Sequence, residues 1–539
     1  MRMRYARMSG LVVALAVTGV AAAPATAQRP AQVAGTSTVT ATVANGLADE
    51  LDTALTDPRL TGSDVGLIVR DPAGNVLYTR NGDKRFVPGS NNKLLVSAAA
   101  VDGLGLNYTF TTSVVRSGTV TNKVLNGDLF LKGTGDPSIT AAGYDALATK
   151  VAAAGITKVT GGLVADDTWF DNSRLGTEWA WDDEPYSYAA EISALTIAAD
   201  SDLNTGVVGV SMGPGAAVGK PAVVTLSPAN DYAHVVDNAV TSAAGSARTI
   251  SVTRAHGTNN LVVTGSVPLA GSTSSSLRTV DEPELLAASV FRAALARHGV
   301  AVAKPTRTGT AAGATVVASS QSGPLSSVLP YFLKLSNNGH AEILLKALGR
   351  KVSGQGTSAA GIAAVGTFLT ANGVDKSVLN TADASGLSRQ DLVTPAQVTK
   401  LLTAVKSKSW FPTWYAALPI AGQPDRLVGG TLASRMAGTA AANNLHGKTG
   451  SLTGVSALSG YVSNKDGLQL TFSMFTNDYV APSVKSLEDT VAVLIANSGG
   501  SATTAKADVA KLRKAQVVPD DPRTPVDESA LECSWVGRC

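Results

Sequence analysis

Three short stretches of this sequence carry side chains that could act together on a carbonyl group. In Ser90-Asn91-Asn92-Lys93 a hydroxyl and an amine stand three positions apart, where a Pro88-Gly89 turn runs into an apolar, Ala-rich segment. That segment reads as a helix beginning at or near Ser90, and positions i and i+3 of a helix share a face. The helix N-terminus adds unpaired backbone N–H groups, which stabilise negative charge beside Ser90. A hydroxyl, an amine and an electropositive helix end are what an acylated serine requires. Alone, Ser-x-x-Lys recurs in many helices and carries little weight.

The other two stretches lie far downstream. Ser336-Asn337-Asn338 sits between two helical patterns and offers a hydroxyl and two amides; by itself it also fits a helix cap and turn. Lys448-Thr449-Gly450 opens a strand-like run, with an ammonium and a hydroxyl on its face and a glycine that leaves room for another backbone to approach. By itself it also fits the start of an edge strand. Between them, Asp383-Ala384-Ser385-Gly386-Leu387-Ser388-Arg389 forms a Gly/Ser loop ending in a guanidinium.

The elements that must position these groups are spread over the chain. Val65–Arg70, a turn at Asp71–Asn75 and Val76–Arg80 read as a β-hairpin leading into the Ser90 helix. From about Tyr108 to Gln321 short β-like runs alternate with Gly, Asn, Asp and Ser turns, with helices near Ala142–Ala154 and Pro283–His298. Helical patterns resume at Leu325–Leu335, Ala341–Leu348, Ser358–Asn372 and Pro395–Lys406. Thr449–Val462 and Leu468–Asn477 alternate like paired strands, and Val484–Asn497 reads as a last amphipathic helix. Residues 499–539 are polar and Pro-punctuated, and read as a mobile tail.

Composition narrows the function classes. The 539 residues, 44% hydrophobic and 16% charged, are globular and long enough for about three domains. A formal net charge of +3, with no basic run, gives no reason to expect nucleic acid or an anionic membrane as partner. Arg2, Arg4 and Arg7, the apolar run Leu11–Ala23 and Ala25-Thr26-Ala27 read as an export signal cleaved before Gln28. The mature protein is therefore expected outside the cytoplasm, with at most peripheral membrane association, since the apolar run is too short to span. Cys533 and Cys539 could close a small terminal disulfide, and the body offers no catalytic thiol. Five scattered histidines without H-E-x-x-H predict neither metal nor cofactor.

The order S-x-x-K, S-x-N, K-T-G is the motif set of serine β-lactamases and penicillin-binding proteins. With Lys132-Gly133-Thr134-Gly135-Asp136-Pro137, Ala165-Asp166-Asp167-Thr168-Trp169-Phe170, Ser193-Ala194-Leu195 and Ser385-Gly386-Leu387-Ser388-Arg389, the chain resembles the low-molecular-mass class C penicillin-binding proteins. These are the D-Ala-D-Ala carboxypeptidase/endopeptidases of peptidase family S13, here of the actinobacterial type. The wide gap between the first two motifs (336 − 90 = 246 positions) fits that family's inserted domains and argues against class A β-lactamases. Two departures, Gly89 for the usual Ala and Ala384 for the usual Gly, remove no chemical group.

The resemblance implies an α/β (α+β) fold: a penicillin-binding, serine β-lactamase-like transpeptidase domain, antiparallel sheet plus helical subdomain, with a strand-rich insertion of one or two domains. The expected division is a signal peptide at 1–27, a linker at 28–45, a discontinuous peptidase domain at 46–107 and 325–498, the insertion at 108–324 and the tail at 499–539. The implied substrates are peptidoglycan stem peptides and β-lactams. Ser90 would be the nucleophile and Lys93 its base; an ordinary Lys pKa near ~10.4 makes a poor base at neutral pH, so burial and the neighbouring Lys448 cation would have to favour the neutral amine. Ser336 would relay the proton, Asn338 would bind the peptide backbone, and Lys448 and Thr449 would receive the terminal carboxylate. Backbone N–H groups of Ser90 and Ser451 would form the oxyanion hole. Asp183 and Arg389, with Tyr188, Leu452 and Thr453, would hold an amine- and carboxylate-bearing side chain of the stem peptide. Two other readings share the motifs: a serine β-lactamase, distinguished by fast deacylation, and a non-catalytic cell-wall sensor or scaffold, which usually shows a lost motif residue or a membrane anchor.

Overall fold

The hairpin at the start of the chain and the strands near its end form one sheet, although some 370 residues separate them. A computed structural model describes residues 46–311, 315–500 and 502–515. The sheet is five-stranded and antiparallel, in the order Val76–Arg80, Asp64–Arg70, Gln469–Asn477, Val455–Ser463, His446–Leu452. The run Thr449–Val462, expected as one strand, is two: the chain reverses at 453–454, where Leu452 pairs with Val455. The export signal, the linker and the two-cysteine terminus lie outside the described residues.

Helices cover the two faces of this sheet. On one side, the helices 46–54 and Lys485–Asn497 bury Leu47, Leu51, Leu487 and Val491 against Leu67, Phe472 and Met474. The helix Ala502–Ala515 joins them, so the start of the presumed tail is packed structure. Ala505, Val509 and Leu512 recur every three or four residues, which gives an apolar stripe to a stretch whose overall composition is polar. On the other side lies a helical layer built around Asn92–Leu104, with Leu325–Lys334, Asn338–Ser353, Ser358–Ala371 and Pro395–Ala404. Asn92–Leu104 is apolar nearly all round, which explains its central place: Leu94, Val96, Ala98 and Ala100 are fully enclosed.

The strands between Thr111 and Gln321 form separate sheets over their own core. The largest is mixed and five-stranded, in the order Arg307–Thr308, Leu163–Asp166, Leu129–Gly133, Thr111–Arg116, Thr315–Gln321. Loops from this region reach the helical layer. His340 Nε2 lies 2.8 Å from Leu203 O, and Asn337 Nδ2 donates to Asn204 Oδ1 at 3.0 Å.

Candidate active site

Ser90 lies in a 3-10 turn, Gly89–Asn91, that winds directly into the helix Asn92–Leu104. The i, i+3 spacing does what the sequence suggested: Lys93 Nζ is 2.7 Å from Ser90 Oγ. Lys93 is completely buried, and its amine is also 2.6 Å from Asn338 Oδ1 and 2.6 Å from Ser385 O. Burying an amine without partners would be costly, and here each direction around the nitrogen is occupied.

Asn338 is the first residue of its helix, held there because Asn337 caps the helix by accepting from His340 N. Ser336, just before, adopts a left-handed backbone with φ of 55°, a conformation that costs a non-glycine residue energy and tends to mark functional turns. Its hydroxyl accepts from Lys448 Nζ at 2.7 Å, and the same ammonium donates to Thr449 O at 2.9 Å. Lys448 is fully buried on the strand His446–Leu452, which is the edge of the central sheet. Its outer edge is covered by the nucleophile turn, where Asn91 Nδ2 donates to Lys448 O at 2.9 Å. Gly450 permits this contact: a Cβ there would stand 2.4 Å from Pro88 O and 3.1 Å from Ser90 N. Thr449 Oγ1 donates to Thr431 Oγ1 at 2.8 Å, and Ser451, half-buried, sets its backbone nitrogen against Gly89.

The loop 383–388 plays a larger part than its Gly/Ser composition suggests. It supplies the Ser385 carbonyl to Lys93 and is itself held by buried carboxyl groups. Asp383 accepts from Gly386 N, Ser388 N, Ser385 Oγ and Trp179 Nε1 at 2.7–2.9 Å. Glu342 Oε1 accepts from Ala384 N and Ser385 N, both at 2.9 Å. Burial, with the Asp383 charge nearby, pushes the Glu342 carboxyl up to about 8. Asp391 caps the loop's entrance by accepting from Ala382 N at 2.6 Å, and burial beside Asp383 holds its carboxyl well above the usual range. Asp383 and Ser385 were noted in sequence only as part of the Gly/Ser loop, with no role of their own, and Trp179, Glu342 and Asp391 were not singled out. For Glu342 a signal existed: it stands four residues after Asn338, on the same helix face.

The five residues expected to bind the substrate side chain fall into two groups. Tyr188 OH donates to Asp183 Oδ1 at 2.8 Å, and Tyr188 O accepts from Asn338 Nδ2 at 2.8 Å, which ties this pair to the S-x-N motif. Arg389 is exposed, and its Nη2 donates to Thr453 O at 2.7 Å, beside half-buried Leu452. Among the described residues no group of three His, Cys, Asp or Glu could hold a metal ion, and no helix is long and apolar enough to cross a membrane.

Comparison with known proteins gives consistent findings. Residues 47–498 match the profile of the D-Ala-D-Ala carboxypeptidase 3 (S13) family. A D-alanyl-D-alanine carboxypeptidase of Actinomadura sp. (strain R39) is 44% identical over 499 residues, covering 92% of this chain and 90% of that protein. The D-alanyl-D-alanine carboxypeptidase DacB of Haemophilus influenzae is 26% identical over 443 residues, 80% of this chain and 89% of its own length. The crystal structure of penicillin binding protein 4 (dacB) from Haemophilus influenzae shares the fold, with a TM-score of 0.69 at 23% identity over 84% of this chain and 97% of that one.

Proposed function

The chain belongs to the D-Ala-D-Ala carboxypeptidase 3 (S13) family, and on that premise we propose that Ser90 is the acylated nucleophile of a serine-type D-alanyl-D-alanine carboxypeptidase acting on peptidoglycan stem peptides. The observation that carries the assignment is the pair of short contacts Lys93 Nζ to Ser90 Oγ and Lys448 Nζ to Ser336 Oγ, both 2.7 Å. Lys93 works as a neutral amine: its two N–H groups point to Asn338 Oδ1 and Ser385 O, and its lone pair takes the Ser90 proton. Ser90 Oγ bonds to the carbonyl carbon of the penultimate D-Ala. The oxyanion is received by the N–H groups of Ser90 and Ser451, a donor of this kind supplying about 3 kcal/mol of barrier reduction.

The C–N bond then breaks, and Ser336 relays the proton taken up by Lys93 to the departing D-Ala amine, giving its own proton and receiving that one, so that Lys93 is neutral again for the second step. Water resolves the remaining ester by the reverse sequence. Lys448 and Thr449 hold the terminal carboxylate, an anion matched by an ammonium and a hydroxyl. Asn338 contacts the peptide backbone. Asp183, Tyr188, Leu452, Thr453 and Arg389 receive the side chain of the third stem residue, Asp183 taking its amine and Arg389 its carboxylate. A β-lactam carbonyl enters the same position and leaves a long-lived acyl-enzyme; a crystal structure of the Haemophilus influenzae fold relative in complex with a β-lactam agrees with this reading. DD-endopeptidase action on cross-links is the same chemistry with a longer leaving group.

The segments 46–107 and 325–498 form the peptidase domain and 108–324 the insertion, a division supported by a central sheet drawn only from 64–80 and 446–477. The protein acts outside the cytoplasmic membrane after removal of residues 1–27. The test is covalent labelling by a fluorescent penicillin, followed by mass spectrometry of muropeptide digests. Native protein is expected to label stably and to release D-Ala, and Ser90→Ala to do neither. Persistent labelling of Ser90→Ala would sink the assignment, and rapid loss of label from the native protein would make it a β-lactamase.

A further inference from the structure

Lys93 has two fixed partners besides Ser90, and both trace back to one face of a single helix. Asn338, at the start of Asn338–Ser353, accepts from the amine directly. Glu342 stands one turn later on the same helix. It reaches the amine through the loop backbone, because Glu342 Oε1 accepts from both Ala384 N and Ser385 N, and Ser385 O is the other partner of Lys93 Nζ. Glu342 as a whole is 2% exposed, so water does not substitute for its carboxyl. Two backbone N–H groups share this one acceptor oxygen; without it both would be left buried, and the peptide carrying the Ser385 carbonyl would be free to turn.

We propose that Glu342 is a positioning residue for the acylation step, fixing the Ala384–Ser385 peptide so that the Ser385 carbonyl and Asn338 together aim Lys93 Nζ at Ser90. The inference rests on Lys93 being the base that activates Ser90. It goes further by assigning the aim of that base to a carboxyl outside the three motifs.

The charge state of Glu342 bears on the same geometry. Lys93 faces it from the nucleophile helix and Asp383 from the loop, with Asp391 behind Asp383. On its own helix, His340 turns to Leu203 O and Lys346 pairs with Asp171, so neither neutralises it. With its carboxyl raised to about 8, Glu342 is mostly uncharged at neutral pH. Ionisation above that value places a negative charge near Lys93, which favours the ammonium and withdraws the base. A glutamine keeps the acceptor oxygen and cannot ionise.

The experiment measures the second-order rate of acylation by a fluorescent penicillin from pH 6 to 10, for the native protein, Glu342→Ala and Glu342→Gln, with thermal melting to establish folding. Glu342→Ala is expected to acylate about a hundredfold more slowly at pH 7, the scale of an ångström-sized misplacement. Glu342→Gln is expected to restore the rate to within about tenfold of native, since a neutral amide offers the same acceptor. The ratio of Glu342→Gln to native is expected to rise above pH 8 by up to about tenfold, the effect of a one-unit shift.

Native rates in a folded Glu342→Ala protein overturn the proposal, as does a folded Glu342→Gln protein as slow as Glu342→Ala. If Glu342→Ala does not fold, the rate of folded Glu342→Gln decides: acylation within about tenfold of native supports the positioning role through the retained acceptor oxygen, and acylation about a hundredfold slower overturns it. Labelling of Ser90→Ala in the same assay would instead overturn the assignment of the nucleophile, so the two failures are separable.

Discussion

Gly386 is the position where a single methyl group should do most damage to the chemistry. It lies at the tip of the 383–388 loop with φ of 84°, and a Cβ there would stand 1.8 Å from Gly89 O, 2.4 Å from Gly89 C and 3.0 Å from Ser90 N. Real Cβ atoms essentially never approach closer than 3.0 Å, so Gly386→Ala must separate loop and turn by at least 3.0 − 1.8 = 1.2 Å. The neighbours are backbone atoms and have no rotamer to change. Both sides of the gap carry the site: the turn holds Ser90, and the loop's Ser385 O orients Lys93. A shift of about 1 Å at a reacting centre costs on the order of 100-fold in rate, and forcing alanine into the left-handed region adds about 1–3 kcal/mol of instability. The assay is acylation by a fluorescent penicillin under pseudo-first-order conditions, paired with denaturant unfolding. A variant that acylates within threefold of native would refute the claim that the loop–turn contact sets the Ser90–Lys93 geometry.

Four further expectations follow from separate parts of the molecule. Arg389→Ala should lower kcat/KM about tenfold on peptides whose third residue carries a free carboxylate, and leave peptides lacking it unchanged, since one exposed cation is worth roughly 1–1.5 kcal/mol; equal losses on both would remove Arg389 from the side-chain pocket. Trp179→Phe removes the indole donor to Asp383 Oδ2. It should cost about 1.5–3 kcal/mol of stability, the range for a bond to a charged acceptor, read from denaturant midpoints. His340 is buried and held neutral, its value lowered to about 4 by desolvation. The unfolded chain binds a proton near 6.5 while the folded one does not, so stability falls as pH drops from about 6.5 towards 4. Between pH 7 and 5 the native protein should lose about 2 kcal/mol more than His340→Gln, and parallel curves would contradict this. Arg435 is buried between Glu488 (3.0 Å) and Asp489 (2.8 Å). Arg435→Ala should cost about 3–5 kcal/mol by removing the buried cation that both acids face, and a loss under 1 kcal/mol in urea titration would contradict this.

The three motifs were legible in the sequence because each is local and built from residue types with few other combined uses. Ser90 and Lys93 need only one helical turn to meet, and Lys448-Thr449-Gly450 needs only a strand. What was not legible acts through the backbone. Glu342 holds N–H groups of a loop 42 and 43 positions away, and nothing in a carboxyl residue's type reveals which distant amide it will accept from. Trp179 likewise donates across 204 positions to Asp383. The helix Ala502–Ala515 was missed for another reason. Its Lys, Thr and Ala content and the prolines beyond it dominate a composition-based reading, while the stripe Ala505, Val509, Leu512 becomes meaningful only once Lys485–Asn497 offers a face to cover. Strand pairing was legible for the hairpin Asp64–Arg70 with Val76–Arg80, where the turn is short, and not for Asp64–Arg70 with Gln469–Asn477, where register depends on contacts made after collapse.

These long-range holds change how the strand-rich insertion is understood. A region of some 200 residues placed between the first two motifs could be a passive addition that merely narrows the cleft. Yet one of its connections, between the strands Leu163–Asp166 and Val207–Gly213, bonds at two points to groups that hold Lys93 Nζ. Trp179 Nε1 donates to Asp383, which organises the loop presenting Ser385 O, and Tyr188 O accepts from Asn338 Nδ2, fixing the amide whose oxygen faces the amine. An amide side chain has one oxygen and one nitrogen; with the nitrogen committed to Tyr188, the oxygen must point to Lys93. Residues of this region therefore help decide which face of Asn338 the Lys93 amine meets. The same short segment carries Asp183, two residues after exposed Trp181 and bonded to the Tyr188 hydroxyl. A ligand group that drew Asp183 towards itself would pull on Tyr188, and through its carbonyl on Asn338 and Lys93. If Asp183 receives the substrate side chain and Lys93 is the base, as proposed, three hydrogen bonds join the two, and the penalty for a stem peptide lacking the matching side chain should appear in the acylation rate as well as in binding.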